Sequence, residues 1–140
     1  MPNPRTRRGS RERALQFLFG LDFTGYAWED EIEDYWAHFP ARDSVKPYAE
    51  HLIRGVCEHQ EALDKRVLDC LDKWTPDRVG RIERVILRIA LYEMLYEQDV
   101  PASVAINEAI EIAKAFGSDE APRFVNGVLD RARRSLEDEP

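Results

Sequence analysis

Val85-Ile86-Leu87-Arg88-Ile89-Ala90-Leu91-Tyr92-Glu93 is the stretch that decides the fold. Read at 3.6 residues per turn from Asp77 to Gln98, it puts Val79, Ile82, Val85, Ile86, Ile89, Ala90 and Leu95 on one broad face. Leu87, Leu91 and Met94 carry apolar surface around most of the remaining circumference. A helix apolar on so many sides needs neighbours on all of them, so the segment is expected at the centre of a bundle. Arg88 emerges amid that surface and needs an acid from a neighbouring helix if it is buried.

Moving toward the C-terminus, Asp99-Val100-Pro101 breaks the chain, and a helix from about Pro101 to Phe116 presents Ala105, Ile106, Ala109, Ile110, Ile112, Ala113 and Phe116. Gly117 is expected as the left-handed residue that ends it. Ser118 or Asp119 then caps a last helix, about Ala121 to Leu136, with the stripe Phe124 or Val125, Val128, Leu129, Ala132, Leu136.

Toward the N-terminus, a helix near Glu61 to Lys73 groups Leu63, Val67, Leu68 and Leu71, and Trp74, Thr75 and Pro76 close it. Another runs from about Val45 to Glu58, with Pro47 tolerated in its first turn. Trp28 to Phe39 forms one more, stopped by Pro40, which has no amide hydrogen and clashes with the preceding turn. The first helix is read from Ser10, a good N-cap, to Leu21, with Gly20 and Gly25 marking its end. No stretch alternates apolar and polar residues for the length of a strand. The expected fold is all-α, one domain over residues 1–140 with about seven helices, a flexible basic arm at 1–9 and an acidic tail at 137–140.

The chain has 140 residues, 44% apolar and 34% charged, with a net charge of −7. Such a chain folds and does not stay disordered. No apolar run approaches the roughly 20 residues that span a bilayer, and the arginine-rich N-terminus lacks an apolar segment behind it. A cytoplasmic protein without membrane partners is expected. Cys57 and Cys70 have no CxxC context and no His at metal-ligand spacing, which suits reduced, inert core thiols.

Charge is unevenly placed. Met1 to Arg13 holds five arginines and one glutamate, +4, whereas Ala14 to Ala37 holds six acids and no Lys or Arg, −6. A basic arm on an acidic body points to a localised anionic partner, or simply to a solvated terminus. Catalytic and cofactor motifs are missing: there is no GxGxxG, GxxxxGK[ST], GxSxG or HExxH. His38, His51 and His59 never pair at i, i+4, and Glu108 with Glu111 is more simply a solvated face or ion pair than a metal site. No enzyme, cofactor or metal is expected.

Three features suit single-stranded or looped nucleic acid. Arg5, Arg7, Arg8 and Arg11 offer planar guanidiniums that bond phosphate bidentately and stack on bases. The junction Lys114-Ala115-Phe116-Gly117-Ser118-Asp119-Glu120 joins two helices, the second of which opens with free amides. Phe116 and Phe124 flank that junction and either pack in the core or stack on bases. Arg123 adds a cation there.

The stretches Arg7-Arg8-Gly9-Ser10-Arg11-Glu12-Arg13-Ala14-Leu15-Gln16, Val85 to Glu93, Asp99-Val100-Pro101 with Val104-Ala105-Ile106-Asn107-Glu108-Ala109, and Phe124-Val125-Asn126-Gly127-Val128-Leu129-Asp130 together resemble the NusB family of bacterial antitermination factors. The likeness covers Arg7 to Asp130 in order. It implies an all-helical protein that binds boxA RNA of ribosomal RNA transcripts with NusE, a small-subunit ribosomal protein, and joins NusA, NusG and RNA polymerase to suppress termination.

Carried over by motif, the RNA surface includes Arg7, Arg8, Arg11, Phe116, Glu120 and Phe124, and the NusE surface includes Phe19 and Glu83. Many relatives have tyrosine at the place of Phe19, so a hydroxyl contact is lost, and alanine is common at that of Ser10. If the arm neutralises about four phosphates, a fourfold rise in salt lowers affinity about fiftyfold. Rival readings are a detached RNA-positioning module of a ribosomal RNA methyltransferase, and a protein-interaction scaffold or homodimer without RNA binding.

Overall fold

Seven α-helices and no strand make up the described residues, 4–71 and 79–138, of the computed structural model. They are α1 (Pro4–Thr24), α2 (Trp28–His38), α3 (Lys46–Glu58), α4 (Gln60–Asp69), α5 (Arg81–Tyr96), α6 (Ala102–Phe116) and α7 (Ala121–Glu137). α4 stops at Asp69 with Cys70 as its C-cap, short of the expected Lys73, and α5 starts at Arg81 behind Gly80, later than the expected Asp77. The Trp74-Thr75-Pro76 stop, Asp77 and Arg78, Met1 to Asn3 and Glu139 to Pro140 lie outside the described residues. Two compact units divide the chain, Met1–Glu58 and His59–Pro140.

In the first unit α1 packs on α3 and α2. Its apolar stripe Ala14, Leu15, Phe17, Leu18 is buried, as are Ala49, Leu52, Ile53 and Val56 of α3. Each large aliphatic or aromatic side chain so buried is worth about 1.5–3 kcal/mol relative to exposure. α2 buries only Ile32. What fastens it is Arg13, whose Nε donates to the Tyr35 hydroxyl at 3.0 Å and whose other nitrogens donate to the carbonyls of Phe39 and Pro40. Trp36 adds a second tie, its ring N–H donating to Glu50 on α3 at 2.7 Å.

α1 begins six residues before the expected start. Ser10 is not its cap: the hydroxyl is fully buried and donates to the Val45 carbonyl at 2.8 Å, with the Thr6 carbonyl 3.1 Å away. Its polarity serves a bond to the residue before α3, which local sequence cannot reveal. Gly20 lies inside α1 and does not end it. Gly25 does, with φ +70° and its amide bonded to the Leu21 carbonyl at 3.2 Å.

In the second unit α5 packs against α4, α6 and α7 and is buried without a break from Val85 to Glu93. This is the central helix that the opening stretch called for. Arg88 finds its expected acid on α4, with Nε 2.7 Å and Nη2 3.1 Å from the two oxygens of Asp64. Cys70 is buried, and desolvation, with Asp69 adding to it against Arg66 and Arg131, pushes its thiol pKa up. Cys57 is only half-buried.

Candidate nucleic-acid interface

The four arginines expected on a flexible arm sit instead on the first turns of α1, and a helix sorts them by face. At 100° per residue, Arg5 and Arg8 share one side as an i, i+3 pair, and Arg7 and Arg11 share another as an i, i+4 pair. Arg5 and Arg8 are exposed. Arg7 is half-buried, its guanidinium carbon 4.0 Å from the centroid of the Tyr48 ring on α3. Arg11 is only 3% exposed. No buried side-chain nitrogen or oxygen among the described residues lacks a partner, so this guanidinium is satisfied inside the fold. Arg11 therefore differs from the expectation, because the continued helix turns it inward.

Tyr48 was not among the expected site residues. His51, one turn on, stacks beside it with ring centroids 5.9 Å apart. The signal was present in the sequence as an aromatic on the stripe of α3, but only the packing of α1 on α3 brings it under Arg7. A guanidinium held over an aromatic face is worth about 0.5–1 kcal/mol at an exposed site.

The second candidate lies within the second unit, where α6 meets α7. Lys114, Phe116, Glu120 and Arg123 are exposed there, and Phe124 is half-buried. Lys114 is paired with Glu111 at 3.2 Å on its own helix. Phe116 is 36% exposed, enough to offer a ring face.

Two expectations at this junction are corrected. Gly117 is not left-handed but extended, with φ −96° and ψ −178°. Glycine is needed for closeness: a Cβ there would stand 2.6 Å from the Ala121 Cβ and 3.0 Å from the Ala113 carbonyl oxygen. α7 also lacks a side-chain cap from Ser118 or Asp119; Glu120 is the N-cap and makes no such bond. Its opening amides are fewer than expected, since Ala121 donates to the Ser118 carbonyl at 3.0 Å and Pro122 has no amide hydrogen. Anion capture by this helix end is thus reduced, and the exposed cations and rings remain.

Of the two residues expected to face NusE, Phe19 is half-buried on α1 and meets Phe23 edge-on at 5.2 Å. Phe23 is 62% exposed. Glu83 is half-buried in the first turn of α5, with its carboxylate over Gly80 and 3.2 Å from where a Cβ of Gly117 would stand. Glu83 thus belongs to the same junction as Gly117, a link that spacing along the chain does not disclose.

These features define an all-helical class of protein in which an acidic chain carries exposed arginines on the first turns of its first helix. The NusB family model matches residues 8–134, and the chain belongs to that family. Relatives include the transcription antitermination protein NusB of Bacillus subtilis, 44% identical over 94% of this chain and 97% of its own length. Another is that of Anaeromyxobacter dehalogenans, 41% identical over 97% and 94%.

Among solved structures, T. maritima NusB superposes with a TM-score of 0.80 at 34% identity, over 96% of this chain and 93% of that one. A crystal structure of antitermination factors NusB and NusE in complex with dsRNA gives 0.84 at 23% identity, covering 95% and 99%, and shares the fold. No helix among the described residues is long and apolar enough to cross a membrane.

Proposed function

We propose that this chain is a cytoplasmic transcription antitermination protein that binds boxA-type single-stranded RNA of ribosomal RNA transcripts together with NusE, and through that pair joins NusA, NusG and RNA polymerase. The observation that carries the reading is the sorted arginine set of α1: Arg5 and Arg8 exposed on one face, with Arg7 laid on Tyr48. Family membership supports it, as does the complex that a fold neighbour makes with NusE and RNA. Arg5, Arg7 and Arg8 contact phosphates; Lys114, Arg123, Phe116, Phe124 and Glu120 supply cations, ring faces and a base-edge acceptor. Phe19 and Glu83 meet NusE.

At a net charge of −7 the body repels a polyanion at long range, so RNA affinity rests on few contacts and stays modest for the chain alone. A second RNA-binding protein held on the first raises the effective concentration of its own contacts, which gives NusE its role. Nothing in this scheme requires a catalytic step.

The test is an anisotropy titration of labelled boxA RNA with the chain, with and without NusE. Affinity should rise at least tenfold when NusE is present, and fall for an RNA with the boxA bases permuted. Equal affinity for both RNAs in the presence of NusE would overturn the reading.

A further inference from the structure

A groove of about 370 Å³ runs between α1 and α2 inside the first unit. Phe17, Leu21 and Tyr35 floor it, Phe39 stands 59% exposed on its lip, and Glu31 and Asp34 line its rim. That volume falls in the range of roughly 300–1,000 Å³ typical of ligand pockets. The face of α1 that forms it lies about a third of a turn round the helix from Phe19 and Phe23, so it is a separate surface.

Gly20 opens onto this groove. It sits in mid-helix, where glycine weakens the helix relative to alanine, and a Cβ at that position would meet nothing within 4 Å. No contact within the chain asks for glycine there, and the missing side chain leaves the α1 backbone open to the groove. The charge around the groove says what kind of thing. Residues 14–37 hold six acids and no Lys or Arg, and the nearby Arg13 guanidinium is committed to Tyr35 and the carbonyls of Phe39 and Pro40.

We propose that this groove seats a basic amphipathic helical segment of a protein partner, its apolar residues in the groove and its cations against Glu31 and Asp34. An apolar floor takes the i, i+3, i+4, i+7 anchors of such a helix, and an acidic rim selects lysine and arginine on the flanking positions. The same acids turn RNA away from this face.

The probe is a fluorescent peptide of about 15 residues with leucine at i, i+3, i+4 and i+7 and lysine elsewhere, titrated with the full chain at low salt. A peptide of the same composition with the leucines scattered should bind at least about tenfold more weakly. Gly20→Gln should fill the groove, weaken binding about tenfold and leave the unfolding midpoint unlowered, since its side chain meets open space. The double variant E31K/D34K should weaken binding similarly.

Equal binding of both peptides would mean attraction to acids alone and would overturn the proposal. So would unchanged binding by Gly20→Gln, displacement of the peptide by single-stranded RNA, or a self-associated chain that Gly20→Gln converts to monomer. In the last case the occupant is a second copy.

Discussion

The first turns of α1 and the α6–α7 junction were both expected to meet RNA, yet they are built on different terms. On α1 the arrangement is set by side chains: one helix distributes four arginines between an exposed face, an aromatic partner and the interior. At the junction it is set by backbone closeness, with Gly117 wedged between Ala113 and Ala121 and the Glu83 carboxylate alongside. Binding and stability are therefore separable on α1, residue by residue, and tied together at the junction.

Arg11→Ala should give the largest effect and tests whether the interior arginine belongs with its neighbours. It leaves buried partners unsatisfied, so a loss of about 3 kcal/mol is expected in denaturant unfolding. A stability change within about 0.5 kcal/mol would return Arg11 to the exposed set.

Gly117→Ala comes next. The backbone there is extended and open to alanine, so the strain is steric alone, about 2 kcal/mol of overpacking against Ala121 and the Ala113 carbonyl. The unfolding midpoint should drop by several degrees, and RNA affinity should fall with it. Full stability in this variant would break the contrast between the two regions.

The double variant R5A/R8A should do the reverse. Thermal stability is expected within about 0.5 kcal/mol of the parent. The slope of log affinity against log salt should flatten by about 1.4, two single-strand phosphates' worth. An unchanged slope would remove these arginines from the interface. With Arg11 inside, the expected fiftyfold salt effect cannot come from four arginines of α1 alone.

The smallest effect sharpens the α1 side. Tyr48→Phe should keep both stability and RNA affinity, because Arg7 needs only the ring face, whereas Tyr48→Ala should weaken RNA binding by a factor of about 2–5, the equivalent of one exposed cation–π contact. Equal RNA affinity for both variants, in the same anisotropy titration, would show that the stacking does not position Arg7.

Most of the helical architecture was legible because the apolar stripes are long and regular. α2, α3, α6 and α7 start and stop within one residue of their expected bounds, and Pro40, Pro47, Pro101 and Gly117 mark four of those ends. The need of Arg88 for an acid could also be read, since no aliphatic environment tolerates a bare guanidinium, though not that Asp64 would supply it. What could not be read depends on contacts between distant segments. Ser10 looks like a cap until Val45 is seen to take its hydroxyl, and the opening turns of α1 carry no apolar stripe to betray a helix.

The candidate sites were legible by residue type and only partly by placement. Counting arginines found the cations of α1 but not their faces, and so missed both the burial of Arg11 and the role of Tyr48. Glycine at position 117 was rightly singled out, for the wrong reason: crowding of neighbouring atoms, not a left-handed turn, excludes a side chain there.

The unbroken length of α1 has a mechanical consequence. Its 21 residues form a rod about 30 Å long, with Arg5 near one tip and the rim of the α1–α2 groove toward the other. Whatever immobilises one tip quiets the thermal wobble of the whole rod, so a second guest at the far tip surrenders less motional freedom when it arrives. Backbone order parameters along α1, measured with one tip occupied, would register that stiffening without any change of shape.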